Sequence, residues 1–273
     1  MKSSEPAVAL VTGATRGLGL HLARALASRG YIVYGAGRWP AREETPEPFR
    51  RLVLDVDNER SAQEAVNRVL AEAGHLDVLV NNAGISLAGP LEEVPVVAAQ
   101  QLFETNYFGA VRMIQAALPV MRRRGRGAIV NISSAAGKIG IPFQAHYAAS
   151  KFALEGLSEA LRLEVAAFGV RVLLIEPGDV RTQIWERRAH YEKEHSPYHT
   201  ALDHFLAVKD REMGDAATPP EVVAEEIAEI ITGGATGFRH PVARGSRLIL
   251  LARKLLPDRI YLWLVARNYG IRT

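Results

Sequence analysis

An α/β fold, built on a single doubly wound parallel sheet with helices on both faces, is predicted by three observations. Short apolar runs rich in Val, Ile and Leu alternate with longer amphipathic stretches along the chain. The runs are unbroken, the pattern of strands covered on both faces, as parallel sheets require. No Pro/Gly/Ser-rich linker or low-complexity segment divides the 273 residues, and a hydrophobic content of 48% can fill one large core, so residues 1–273 read as one domain.

In chain order, AVALVT is the first strand, entered by Val8, and Leu18 to Ser28 is the first helix. YIVYGAG follows as the second strand, then RLVLDV as the third with the helix Ser61 to Ala73 behind it. DVLVNNA leads into the helical stretch Ala98 to Met121, AIVNIS into Tyr147 to Ala167, and RVLLIE closes the series. Strands alternating with helices form the βαβ units of a Rossmann fold. In such a sheet ligands bind beyond the carboxyl ends of the strands, so site residues are expected in the loops that follow them.

Composition removes several function classes. The absence of cysteine excludes disulfides, a thiol nucleophile and cysteine metal sites. With no apolar run near the ~18 residues of a membrane-spanning helix, and no room before Val8 for a secretory signal, a soluble, cytoplasmic protein is expected. The net charge of +3 is mild and no basic stripe is interleaved with aromatics, so nucleic acid is not an expected partner.

Directly after the first strand comes Thr12-Gly13-Ala14-Thr15-Arg16-Gly17-Leu18-Gly19, then helix-patterned residues. Glycines let the backbone turn sharply and approach a pyrophosphate, and a helix amino terminus offers N–H groups to its charge. The second strand ends Gly37-Arg38, about the ~20-residue distance at which an acidic residue would bind the ribose hydroxyls of NAD. Arg38 stands there instead. A guanidinium grips a 2′-phosphate bidentately, Gly37 leaves room for it, and Arg16 supplies a second cation, so the expected cofactor is NADP(H).

Tyr147 and Lys151, four residues apart at the start of a helical stretch, share one face. A phenol titrates near pH ~10, and a cation beside it favours the phenolate, moving its pKa toward the range useful for acid–base work at neutral pH. The pair suits carbonyl and alcohol chemistry.

Together, TGATRGLG, Asp55, NNAG at Asn81 to Gly84, Asn106 in TNYFG, NISS ending at Ser134, YAASK and PGDVRT resemble, in kind and order, the classical short-chain dehydrogenase/reductase family over about residues 7 to 240. The stretch SKFALEGLSEALRLEVAAFGVRV is similar to the branch that contains hydroxysteroid and retinol dehydrogenases. The resemblance implies a catalytic set of Asn106, Ser134, Tyr147 and Lys151. Tyr147 would be the acid/base, Lys151 its electrostatic partner and a ligand of the nicotinamide ribose, and Ser134 a donor to the substrate oxygen. Asn106 would interrupt its helix and hold a water that links Lys151 to solvent. For the cofactor it implies Gly13, Thr15, Arg16, Gly17, Leu18, Gly19, Arg38, Asp55 at the adenine amino group, Val56, Asn82, Ala83, Gly84, Pro177, Gly178, Val180 and Thr182 at the carboxamide. Asn81 would tie the central strands. Twelve residues separate Ser134 from Tyr147, as in the family, which selects Ser134 over Ser133 and leaves Ser133 a structural hydrogen bond.

The implied reaction is hydride transfer between the nicotinamide and a carbonyl or secondary alcohol, the substrate being a small-molecule, hydrophobic ketone or alcohol. Two alternatives remain: a non-catalytic NADP(H)-binding regulator, and an epimerase or dehydratase of the extended branch, whose TGxxGxxG spacing Gly13, Gly17 and Gly19 do not fit. Residues 183–217, after PGDVRT, are expected to form a lid over the substrate. The lid's His195 and His199 are separated from a common helix face by Pro197, so no metal site is expected. Ala98 to Met121 and Tyr147 to Ala167 match the helices that family members pair into homodimers or homotetramers. The tail, residues 246–273, alternates apolar clusters with Arg247, Arg253, Lys254, Arg259, Arg267 and Arg272, and Pro257 divides it into two short helices. Its Leu255, Leu256, Leu262, Trp263 and Leu264 fit packing as a wall of an apolar substrate pocket or on another subunit, and its cations fit contact with an anionic membrane.

Overall fold

The computed structural model describes residues 5–39, 46–214 and 216–271; Asp215 of the lid and Arg272 of the tail lie outside the described residues. The chain runs β1 (Val8–Thr12), α1 (Gly17–Ser28), β2 (Ile32–Gly37), β3 (Arg50–Val53), α2 (Glu59–Ala73), β4 (Val78–Asn81), β5 (Leu87–Ala88), α3 (Val96–Phe103), a π-helical turn (Glu104–Phe108) and α4 (Gly109–Arg124). It continues through β6 (Gly127–Ile132), α5 (Ala145–Val165), β7 (Val170–Pro177), α6 (Gln183–Glu186), β8 (Ala189–His190), α7 (His199–Met213), α8 (Pro220–Thr232), β9 (Arg239–Val242), α9 (Ser246–Leu255) and α10 (Asp258–Asn268). Seven parallel strands form the main sheet in the order β3-β2-β1-β4-β6-β7-β9.

Register explains the unbroken apolar runs. Leu10, Leu79, Ile129 and Val172 stand in one row across four strands, and Val11, Val80, Val130 and Leu173 in the next. Successive residues of a strand face opposite ways, so the first row packs under α2, α4 and α5 (Val66, Met113, Leu161) and the second under α1 and α8 (Leu22, Leu26, Val223, Ile227). Each such side chain contributes roughly 1.5–3 kcal/mol on leaving water. One row further on, the Asn81 amide donates to Asn131 Oδ1 (2.8 Å) and Asn131 donates to Ser158 Oγ (2.8 Å), tying β4, β6 and α5 together.

Two elements have little sequence signal. β9, RHPV, has one buried apolar residue, and the β5–β8 pair is two residues long. The lid comprises α6, β8 and α7, and its ends meet. Val180 bridges Thr218, the Thr218 N–H donates to Asp179 O (3.0 Å), and the Arg181 N–H donates to Thr218 O (3.0 Å). Phe205 of α7 centres the lid core, with ring centroids of Phe143, Trp185 and Tyr269 at 5.4, 6.3 and 5.0 Å. Tyr269, Val265 and Ile271 thus back the lid, whereas Leu255, Leu262, Trp263 and Leu264 are exposed. The expectation that those residues wall the substrate pocket is corrected: that wall is formed by Ile141, Trp185 and Met213, and among the described residues none beyond Met213 lines the cleft.

Candidate active site

β1 delivers the chain to the glycine turn at the carboxyl edge of the sheet. Gly13 and Gly17 adopt φ of +68° and +55°, where a side chain would be strained. At Gly19 a Cβ would collide with Gly13 O and Asn82 Nδ2. The turn is clamped to the NNAG segment: Thr12 Oγ1 accepts the N–H groups of Asn82 and Ala83 (both 3.0 Å), and the Asn82 amide donates to Thr12 O (2.9 Å). No side chain caps the first turn of α1, so its N–H groups remain available to an anion. Thr182 crosses the turn, its Cβ 3.4 Å from where a Gly17 Cβ would stand.

A cleft of about 360 Å³ opens over these residues, and every anticipated cofactor residue lines it, together with Ser134, Tyr147 and Lys151. At its far end Arg16, Arg38 and a third guanidinium, Arg187, come together. Partial desolvation, and next the charges of Arg187 and Arg38, hold Arg16 below the ordinary arginine range. Three cations facing one another make a site for a compact anion. Arg187 went unread in the sequence because it lies after α6 in a segment with no motif. Gly37 has Thr15 Cγ2 2.7 Å from a would-be Cβ, so a side chain there would press on the glycine turn. Asp55 accepts from the Asp57 N–H (3.1 Å).

Tyr147 stands half-buried with its side chain hydrogen-bonded to Ser134. Ser134 is held by its Oγ accepting the Ala136 N–H at 3.1 Å. Lys151 Nζ lies 5.9 Å from the Tyr147 ring centroid and donates to Ile132 O at 2.9 Å. The pKa directions depart from the i,i+4 argument. Burial pushes Tyr147 above the ordinary phenol value, opposed by its bond to Ser134 and by Lys209. Burial also lowers Lys151 to about 8, opposed by Glu155. Desolvation wins at both, and the cation that acts on the phenol is Lys209 of the lid.

Asn106 sits in the π-helical turn, the interruption expected of it. Its amide donates to Ile85 O (3.0 Å) and Ser150 Oγ (3.1 Å), and its Oδ1 accepts the Ile85 N–H (2.8 Å). It does not line the cleft but stands behind it, sharing a void of about 10 Å³ with Lys151. Ser133 differs from expectation: its Oγ is buried without a hydrogen-bond partner. On the substrate side Ile85, Ile141, Trp185 and Met213 line the cleft, and Gln144 Nε2 donates to Ser86 Oγ (3.2 Å). His195 lies in a turn at φ +59°, whereas His199 opens α7 with Glu192 and Asp203 at 2.8 and 3.4 Å.

Residues 7–193 match the family model of short chain dehydrogenases. A 3-ketodihydrosphingosine reductase of Bacteroides thetaiotaomicron is 37% identical over 98% of this chain and 100% of its own. Human 17-beta-hydroxysteroid dehydrogenase type 1 is 40% identical over 92% of this chain and 81% of its own, and human retinol dehydrogenase 8 is 40% identical over 66% and 61%. A short-chain dehydrogenase from Streptomyces avermitilis superposes with a TM-score of 0.81 at 34% identity, covering 96% of each chain. Two further solved neighbours carry different cofactors. One from Burkholderia cenocepacia is in complex with NADP (TM-score 0.75, 28% identity, covering 97% of this chain and 98% of its own). One from Burkholderia phymatum is in complex with NAD (0.79, 25%, 96% and 97%).

Proposed function

The chain belongs to the short-chain dehydrogenase family, an oxidoreductase fold that uses nicotinamide cofactors, and we propose that it is an NADP(H)-dependent reductase or dehydrogenase of a hydrophobic ketone or secondary alcohol. The observation that carries the reading is the Ser134–Tyr147–Lys151 group and the Arg16–Arg38–Arg187 group at opposite ends of one cleft.

The residues fit such a cofactor. The glycine turn and the α1 amino terminus suit its pyrophosphate, and the three guanidiniums suit a 2′-phosphate. The nicotinamide, when bound, supplies or takes the hydride. The chain's part is orientation and proton handling. Tyr147 Oη delivers the proton to the developing alkoxide in reduction and receives it in oxidation; its raised pKa keeps the phenol protonated and ready to donate. Ser134 donates a second hydrogen bond to the same oxygen. Lys151 would hold the ribose of a bound cofactor, Lys209 is the cation that favours the phenolate, and the void Lys151 shares with Asn106, about 10 Å³, is near the size that admits one relay water.

Ile85, Ile141, Trp185 and Met213 favour an apolar substrate, in keeping with relatives named for sphingoid, steroid and retinoid compounds. Assembly into a homodimer or homotetramer is supported by exposed Phe152 and Leu163, which share one face of α5. The test is a panel of lipid and aryl ketones with NADPH or NADH, followed by loss of reduced-cofactor absorbance. Turnover of apolar ketones with NADPH is the expected result; equal efficiency with NADH would reject the cofactor assignment, and inactivity on the panel despite NADPH binding would reject the substrate class.

A further inference from the structure

The two C-terminal helices present an apolar face that no described residue covers. On α9, Leu248, Leu251 and Leu255 are 72, 51 and 67% exposed. Their spacing places them within one narrow arc, with Arg247 and Lys254 along its edge. On α10, Ile260, Trp263 and Leu264 are 47, 48 and 42% exposed and share a face with Arg267, whose guanidinium stacks on Trp263 at 5.4 Å. The opposite face of α10 is spoken for, because Tyr261 and Ala266 are buried and Val265 backs the lid.

The charge is as uneven as the polarity. Six of the chain's 33 cations and one of its 30 acids fall in residues 246–273. The remaining 27 cations against 29 acids leave the rest of the chain slightly negative, so this segment alone carries the net positive charge. Lys254 and Arg259 make no ion pair with any described residue. A second copy docked about a twofold axis would set this patch against itself, cation against cation. An apolar stripe edged by cations, of which Lys254 and Arg259 have no ion pair among the described residues, instead complements a surface that is anionic outside and apolar beneath. No helix of the described residues is long and apolar enough to cross a membrane, so the contact would lie in the interface plane.

We propose that α9 and α10 dock this protein on an anionic lipid bilayer, inserting the α9 leucines with Trp263 and Leu264 while Lys254 and Arg259 meet the headgroups. Because the inner side of α10 backs the lid through Val265 and Tyr269, docking sets the substrate entrance beside the bilayer, the source of an apolar substrate. The docking does not rest on the cofactor or substrate reading, and its readout is binding rather than turnover.

The test is co-sedimentation of the full chain with vesicles of phosphatidylcholine alone or with one third phosphatidylglycerol, at low salt and at about 0.5 M salt, where screening is nearly complete beyond contact distance. Binding to the anionic vesicles, weakened by salt and absent on phosphatidylcholine, is expected. Lys254→Glu with Arg259→Glu should weaken partition roughly tenfold or more, since these side chains touch no core. Leu251→Asp with Leu255→Asp should abolish it, with circular dichroism confirming the fold. Absence of wild-type binding to anionic vesicles, or equal partition by the double-Glu variant, overturns the proposal. So does a concentration-dependent dimer in light scattering that Leu251→Asp dissociates while vesicle binding is absent, which would make the face a contact between copies.

Discussion

Lys209 and Asp179 are joined by a 2.9 Å ion pair that ties the lid helix α7 to the loop after β7, at the edge of the cleft. Glu212 reaches the same ammonium at 2.8 Å, and Asn268 and Tyr269 of the C-terminal region in turn contact Glu212. Burial alone would lower Lys209, but Asp179, Tyr269 and Glu212 outweigh it and leave its pKa above the ordinary lysine value. The stabilisation is therefore complete below that ordinary value and is lost only as pH rises through the raised one. Lys209→Met would leave two carboxylates facing each other. Their partial exposure, 39% and 28%, discounts the cost of a broken buried pair to about 1–3 kcal/mol. Denaturant unfolding should show that loss, an increased KM for the ketone should accompany it, and adding Asp179→Asn should recover part of both.

Tyr147→Phe removes the transferable proton and little packing. Turnover should fall by about 10²–10⁴-fold while NADPH affinity, read by fluorescence titration, stays within about twofold. Lys151→Ala should harm both. Wild-type turnover by the Phe variant would remove Tyr147 from the proposed mechanism.

The cationic end of the cleft predicts a graded cofactor response. Arg38→Ala should reduce the NADPH-over-NADH ratio of kcat/KM by tens-fold, since ~2.7 kcal/mol of charge-assisted contact corresponds to about a hundredfold. Arg187→Ala should reduce it less, because Arg187 reaches the cleft from the lid after α6 and not from the sheet edge that carries Arg38. A ratio unchanged in both variants would detach the 2′-phosphate from these arginines.

Lys151 contributes a pH dependence of opposite sign to that of Lys209. Its folded pKa, about 8, lies below the 10.5 of a free lysine. Between those values the unfolded chain holds a proton that the native one has released, so stability rises with pH across the window. Lys151→Met should accordingly be more stable than the wild type at pH 7, by up to about 3 kcal/mol, and the gap should close as pH climbs from 8 toward 10.5. Thermal unfolding across that range checks it; a gap that widens would contradict the assignment.

Phe152 and Leu163 supply the test of assembly. Leu163→Glu, at a side chain 76% exposed, costs the monomer little but would place a charge in any α5 contact. Light scattering should show the wild type as a dimer or tetramer and the variant shifted toward monomer. A wild type that is monomeric at all concentrations would refute the homo-oligomer.

The glycine turn, the order of the strands up to β7 and the Tyr147–Lys151 face were legible because each is a local constraint: a backbone that must turn, an apolar period, an i,i+4 spacing. Arg187 and Lys209 were not, since the lid carries them to the cleft from segments whose own sequence shows only mixed charge. The direction of the Tyr147 shift was misread for a related reason. Spacing places a cation beside the ring but cannot reveal that Lys151 turns to Ile132 O or how much water the fold removes. The tail shows the same limit. Periodicity announces an apolar stripe on α9 without saying what covers it, and the structure leaves it bare.

The neck at Val180 and Thr218 has a consequence for how this chain can change. The strand side and the α8 side of the lid are stitched to each other by backbone hydrogen bonds, so the ends are held whatever lies between them. Closing a longer excursion then adds only about 0.6 kcal/mol for each doubling of its length. The lid, with the C-terminal helices behind it, is in effect an exchangeable cassette: a different insert could redirect the enzyme to another ligand while the sheet and the glycine turn keep every residue they have.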